Sequence, residues 1–122
     1  MTTFTFETFW QWLMRHPNCI LRAGSPDAVL YDDEDIHWHF AADEQVLYVQ
    51  TIRGKRLMGE LAIDSERVAY VEWVGEEPDG EHVFELVAEM EAEMEEQRLA
   101  AYFIVVSHPF EEEPAPHERA VH

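Results

Sequence analysis

Residues 45–63 read QVLYVQTIRGKRLMGELAI, and how this stretch folds decides the architecture. Apolar residues recur at every second position on both sides of Gly54-Lys55, the pattern of two antiparallel strands joined by a two-residue turn. Glycine in the first central position suits a type II′ turn. Folding the ribbon there pairs Arg53 with Arg56, Ile52 with Leu57, Gln50 with Gly59, Tyr48 with Leu61 and Val46 with Ile63. In that register Ile52, Leu57, Tyr48, Leu61, Val46 and Ile63 share one face, which is expected to be buried. The opposite face carries Leu47, Val49, Thr51 and Met58 with Glu60, and is more apolar than a water-facing strand usually is. It too is expected to be covered, by a second layer or another copy of the chain, and so to be where a partner sits.

Upstream, Cys19 to Arg22, Ala28 to Tyr31 and Ile36 to Phe40 read as short strands separated by turn signals, Gly24-Ser25-Pro26-Asp27 and the acidic run Asp32-Asp33-Glu34-Asp35. Before them, Phe6, Phe9, Trp10 and Leu13 fall at helical spacing after Thr3 or Thr5 as cap and before Pro17, which predicts an N-terminal helix. Downstream, Val68 to Val74 is a strand with Ala69, Val71 and Trp73 inward. A loop at 75–80 follows. Val83, Val87, Met90 and Met94 recur at helical spacing, widened by Phe84 and Leu86, and predict a long helix over 81–99 capped by Asp79. That helix has an electrostatic weakness: ten acids and no Lys or Arg between Glu76 and Glu96, so it depends on tertiary packing. Tyr102 to Val106 is continuously apolar, as a central strand is. Residues 109–122 contain three consecutive Glu and three Pro without periodicity and are expected to form a flexible tail. The predicted fold is a single α+β domain over 1–108. It has an antiparallel meander sheet of about five to seven strands, with the N-terminal helix and the long C-proximal helix packed on it.

Charge narrows the function. Twenty-six acids against eight bases give a formal charge of −18 in 122 residues, which repels nucleic acid and anionic membranes alike. The partner such a chain suits is a basic protein, or a second copy of itself through the one positive patch, Arg53, Lys55 and Arg56 at the hairpin tip. Glu89, Glu93 and Glu96 on the predicted helix are the acids expected to meet that patch. One cysteine, Cys19, allows no internal disulfide, and the N-terminus lacks the basic and apolar regions of a secretory signal, so a cytoplasmic location is expected.

Catalytic patterning is missing: no phosphate-binding glycine loop, no C-x-x-C and no H-E-x-x-H. Cys19 in so acidic a chain is expected to pack rather than react. His37-Trp38-His39 is the best chemical candidate. Alternate residues of a strand project from one face, roughly 7 Å apart, a spacing two metal ligands can use, with the 32–35 acids nearby. Two histidines are half a site, however, and polar residues on an outer face are the ordinary pattern. The expected function is a non-catalytic acidic binding protein, of adaptor, chaperone or immunity type, that engages a basic protein partner or self-associates. No cofactor is expected. The alternative is a divalent metal, held by a metal-binding protein or metal-dependent enzyme through His37 and His39.

Overall fold

The computed structural model describes residues 2–76, 80–92 and 95–107. Among the described residues it is mostly β rather than the expected α+β: nine antiparallel strands in two sheets instead of one meander, with one α-helix. The strands are β1 (Thr2–Phe4), β2 (Ile20–Ser25), β3 (Ala28–Tyr31), β4 (Ile36–Asp43), β5 (Val46–Arg53), β6 (Arg56–Asp64), β7 (Tyr70–Glu76), β8 (His82–Ala92) and β9 (Glu95–Val106). The larger sheet has the order β1-β7-β8-β9-β2-β3, and β4-β5-β6 form a separate meander.

The helix, α1 (Phe6–Met14), starts where the sequence indicates. Thr5 is its N-cap, and the hydroxyl oxygen accepts the Thr8 N–H at 3.2 Å. Its apolar stripe joins the two sheets. Phe9 lies 5.0 Å from Phe84 of β8, and Trp10 meets Phe40 of β4 edge-on at 5.4 Å. Trp12, off the narrow stripe, is buried too and stacks on His16 at 4.7 Å. One core therefore takes side chains from α1, from Val71, Phe84, Leu86, Ile104 and Val106 of the large sheet, and from Trp38, Val49, Leu61 and Ile63 of the small one.

The predicted helix over 81–99 is not formed. The chain runs there as β8 and then turns back as β9. Its first residues also alternate with period two, and His82, Phe84 and Leu86 are all buried. Phe84 pairs with Trp73 on one side and Ile104 on the other, so two neighbouring strands offer this segment a complete ladder. Tertiary pairing overrides the helix propensity of Ala, Glu and Met, even though the ladders set Glu72 opposite Glu85 and Glu91 opposite Glu96. β9 lies centrally between β8 and β2, as its apolar run requires, with Ile104, Val105 and Val106 buried. Asp79, the expected cap, and the expected tail at 109–122 lie outside the described residues.

The 45–63 ribbon forms, about a two-residue turn with Gly54 at φ 63° and Lys55 at negative φ, as a type II′ turn requires. Its register is different. Arg53 pairs with Arg56 and Ile52 with Leu57 as expected, but then Thr51 pairs with Gly59, Val49 with Leu61 and Leu47 with Ile63. Met58 is the extra residue of a β-bulge. A one-residue slip exchanges faces. Val49 and Thr51 are therefore buried with Leu61 and Ile63, by the protein's own core. Val46, Tyr48, Ile52 and Leu57 point the other way. The face expected to await a partner is thus covered, and its opposite is the open one. Because the bulge only absorbs a residue, deleting Met58 is expected to keep the same pairs in a regular ladder. Near-UV circular dichroism and a Tm within about 5 °C of wild type would show this.

At the other hairpin, Glu44 holds φ 55°, a left-handed conformation that costs an L-residue roughly 1 kcal/mol. Glu44→Gly is expected to raise stability by at most about 0.5 kcal/mol in a urea titration, because glycine's freedom in the unfolded chain offsets part of the relieved strain, and a clearly lowered midpoint would contradict it.

Candidate functional site

The most distinctive surface lies at the head of β4, where the acidic run meets the small sheet. The loop between β3 and β4 is fixed by bonds to β2, within its own backbone and to the Asp33 side chain. Asp32 N–H donates to Leu21 O at 2.9 Å, Ile36 N–H to Asp33 O at 3.0 Å, and Glu34 N–H to the Asp33 carboxylate at 2.7 Å. The buried Trp38 donates its indole Nε1–H to Asp32 Oδ1 at 3.1 Å, tying the acidic loop to the core. Asn18, Asp32, Asp33, Glu34, Ile36, His37 and Trp38 line an open cleft of about 540 Å³. Three carboxylates thus stand beside an apolar wall. Arg53 reaches back from the hairpin tip to Asp33 at 3.4 Å, so a guanidinium already rests on this cluster.

His37 and His39 both project from the outer face of β4 and are exposed, as the alternation implies. Their surroundings diverge. His37 lines the cleft, whereas His39 belongs to a chain across the small sheet. Gln50 Nε2 donates to Glu60 Oε2 at 2.6 Å, which fixes the amide, so Gln50 Oε1 accepts from His39 Nδ1–H at 2.9 Å. Among the described residues no group of three or more His, Cys, Asp or Glu is placed to hold a metal ion.

The remaining candidates are scattered. Arg53, Lys55 and Arg56 are exposed at the hairpin tip. Glu89 lies on β8 opposite Arg98, and Glu96 on β9 opposite Glu91, so the acidic helix face that was to meet the tip does not exist. Glu93 lies outside the described residues. Cys19 is buried, and burial pushes its thiol pKa up against the lowering effect of a hydrogen bond with Ser107. It is therefore expected to react slowly with iodoacetamide at pH 8 in the folded protein and quickly in denaturant, and equal rates would contradict that placement.

Two features escape a reading of the sequence. The bond from Trp38 to Asp32 turns a charged loop into part of the core. His82 is only 6% exposed, 5.4 Å from the ring of Trp73, and neither its Nδ1 nor the indole Nε1 of Trp73 has a hydrogen-bond partner among the described residues. The alternation of His82, Phe84 and Leu86 was the available signal that His82 points inward.

Set against protein-family models, curated proteins and solved structures, the chain matches none of the three. Among the described residues no helix is long and apolar enough to cross a membrane.

Proposed function

We propose that this chain is a non-catalytic acidic binding protein, of adaptor, chaperone or immunity type, that engages a basic protein partner at the cleft heading β4. What supports the reading is the combination of Asp32, Asp33 and Glu34 with the Ile36 and Trp38 wall. A lysine or arginine side chain needs both, carboxylates for its head and apolar surface for its stem. Arg53 on Asp33 is an internal example of that contact. The charge of −18 draws a basic partner in from a distance, and the cleft supplies the local geometry.

The test is binding of a dye-labelled peptide of alternating Arg and Leu, followed by fluorescence anisotropy at low and high salt. The Asp33→Asn/Glu34→Gln double variant is expected to bind about five- to thirtyfold more weakly, at ~0.5–1 kcal/mol per partly exposed pair. Glu7→Gln/Glu66→Gln removes the same charge from residues that do not line the cleft, and it is expected to bind as wild type. Equal losses in both variants would reduce the effect to net charge and remove the cleft from the proposal.

The metal reading has one observation in its favour, the exposure of His37 and His39 on the same face of β4. Metal analysis of the purified protein with His37→Ala and His39→Ala decides it. No stoichiometric metal, or metal content unchanged in both variants, ends that alternative.

A further inference from the structure

The face of the small sheet turned away from the core holds four rows of side chains, set by the observed register. They are Asp43–Val46–Asp64, Ala41–Tyr48–Ala62, His39–Gln50–Glu60 and His37–Ile52–Leu57, with the bulged Met58 beside the last. Leu57 and Met58 are 54% and 46% exposed, and Val46, Tyr48 and Ile52 are half-buried without packing on the core. Apolar residues thus run along the central strand of a face that no described element covers.

The two ends of this face are opposite in size and in charge. One end has the small residues Ala41 and Ala62 and then the acids Asp43, Glu44 and Asp64. The other has the large residues Ile52, Leu57 and Met58 and then the hairpin tip with Lys55 and Arg56. Arg53 is taken up by Asp33, but no ion pair of the described residues involves Lys55 or Arg56. A two-fold axis lying in the interface across the strands, at the His39–Gln50–Glu60 row, superposes one end of a first copy on the other end of a second. It sets Leu57 and Met58 over the alanine row and Tyr48 over Ile52. It also brings the Lys55-Arg56 tip to the Asp43, Glu44 and Asp64 end, twice by symmetry.

We infer that this face is the interface of a homodimer, its occupant a second copy of the chain stacked sheet to sheet with strands antiparallel. The face matches itself at its charged ends and where Leu57 lies over Ala62, contacts that must outweigh the approach of the two Glu60 carboxylates at the axis. The patch, three strands wide and about eight residues long, spans roughly 14 Å by 26 Å. That falls short of the ~800 Å² per partner of a standard interface, so dissociation is expected at roughly 1–100 µM. Protomers of −18 also repel at long range, which makes the ends the deciding contacts. The face shares His37 with the cleft at the head of β4 but none of its carboxylates.

Sedimentation equilibrium over about 1–200 µM at physiological salt reads the association directly. Wild type is expected to pass reversibly from monomer to dimer. Lys55→Glu/Arg56→Glu sets acid against acid, and Asp43→Lys/Asp64→Lys sets base against base. Each alone is expected to raise the dissociation constant at least about tenfold while keeping its circular dichroism spectrum. Mixed together, the two variants restore both charge contacts and are expected to form a heterodimer at least as tight as wild type. Leu57→Gln weakens association without altering charge. A wild type that stays monomeric throughout, variants that associate like wild type, or a mixture that stays monomeric each overturns the inference.

Discussion

Phe84→Ala is expected to lower the free energy of unfolding by about 3–5 kcal/mol, the range for truncating a buried aromatic ring in a core that cannot collapse onto the gap. Phe84 has no exposed surface. Its ring lies 5.0 Å from Phe9, 5.6 Å from Trp73, 6.3 Å from Phe4 and 6.4 Å from Trp12. These neighbours come from α1, β1 and β7, so no single element can move to fill the cavity without losing its own contacts. At this chain length each kcal/mol moves Tm by about 3–5 °C, so a fall of roughly 10–20 °C is expected. Tyr31→Ala is the control: at 65% exposure it is expected to stay within about 0.5 kcal/mol of wild type. A loss of less than about 1.5 kcal/mol at Phe84 would mean that the aromatic cluster is not the centre of the core.

Gly24→Ala is the second large effect, and it arises by collision rather than by a cavity. A Cβ at Gly24 would stand 2.4 Å from the carbonyl oxygen of Ala28 and 2.9 Å from Cα of Val29, both backbone atoms of β3, and 3.2 Å from the ring of Phe103. Rotating a side chain cannot relieve the first two. The β2–β3 hairpin must open at the position where Gly24 pairs with Val29 on one side and Phe103 on the other. The expected loss is about 3 kcal/mol, well above the ~0.4–1 kcal/mol that alanine returns by stiffening the unfolded chain. Gly54→Ala makes the contrast. Nothing lies within 4 Å of a Cβ there, but φ is +63°, so only the left-handed strain of about 1 kcal/mol applies. Urea unfolding of the two variants side by side measures the difference, and a milder Gly24→Ala than Gly54→Ala would refute the close approach of β3.

Much of the architecture is readable along the chain. Thr5, the apolar stripe of α1, the strand at 28–31, the alternation of Ile36, Trp38 and Phe40, and the glycine turn at 54 each carry a local signal, and each is realised. The register of the 45–63 ribbon is not readable, for a definite reason. Both of its faces are apolar, so alternation cannot choose between two registers one residue apart, and the bulge at Met58 that decides between them has no local signature. The helix expected at 81–99 fails differently. Helix formers and a helical repeat coincide there with a two-residue repeat in His82, Phe84 and Leu86, and the partners that favour the strand, Trp73 and Ile104, lie elsewhere in the chain. On β4, exposed His37 and His39 follow from alternation. The contribution of Asn18 and the bond from Trp38 to Asp32 are tertiary and follow from nothing local.

The sheet order has a consequence in time. β2 is among the first strands made, but in the large sheet it is flanked only by β3 and by β9, the last described strand, so that Ile20 waits for Val106. During synthesis the first half of the chain can form α1 and the β4–β6 meander, whose contacts are local. The large sheet, and with it the floor beneath that meander, closes only when β9 has left the ribosome. Loop closure over such a distance is slow to nucleate. Until it happens, Ile20 and the inner faces of Val49 and Ile63 are bare, and that interval is when this chain is most exposed to aggregation.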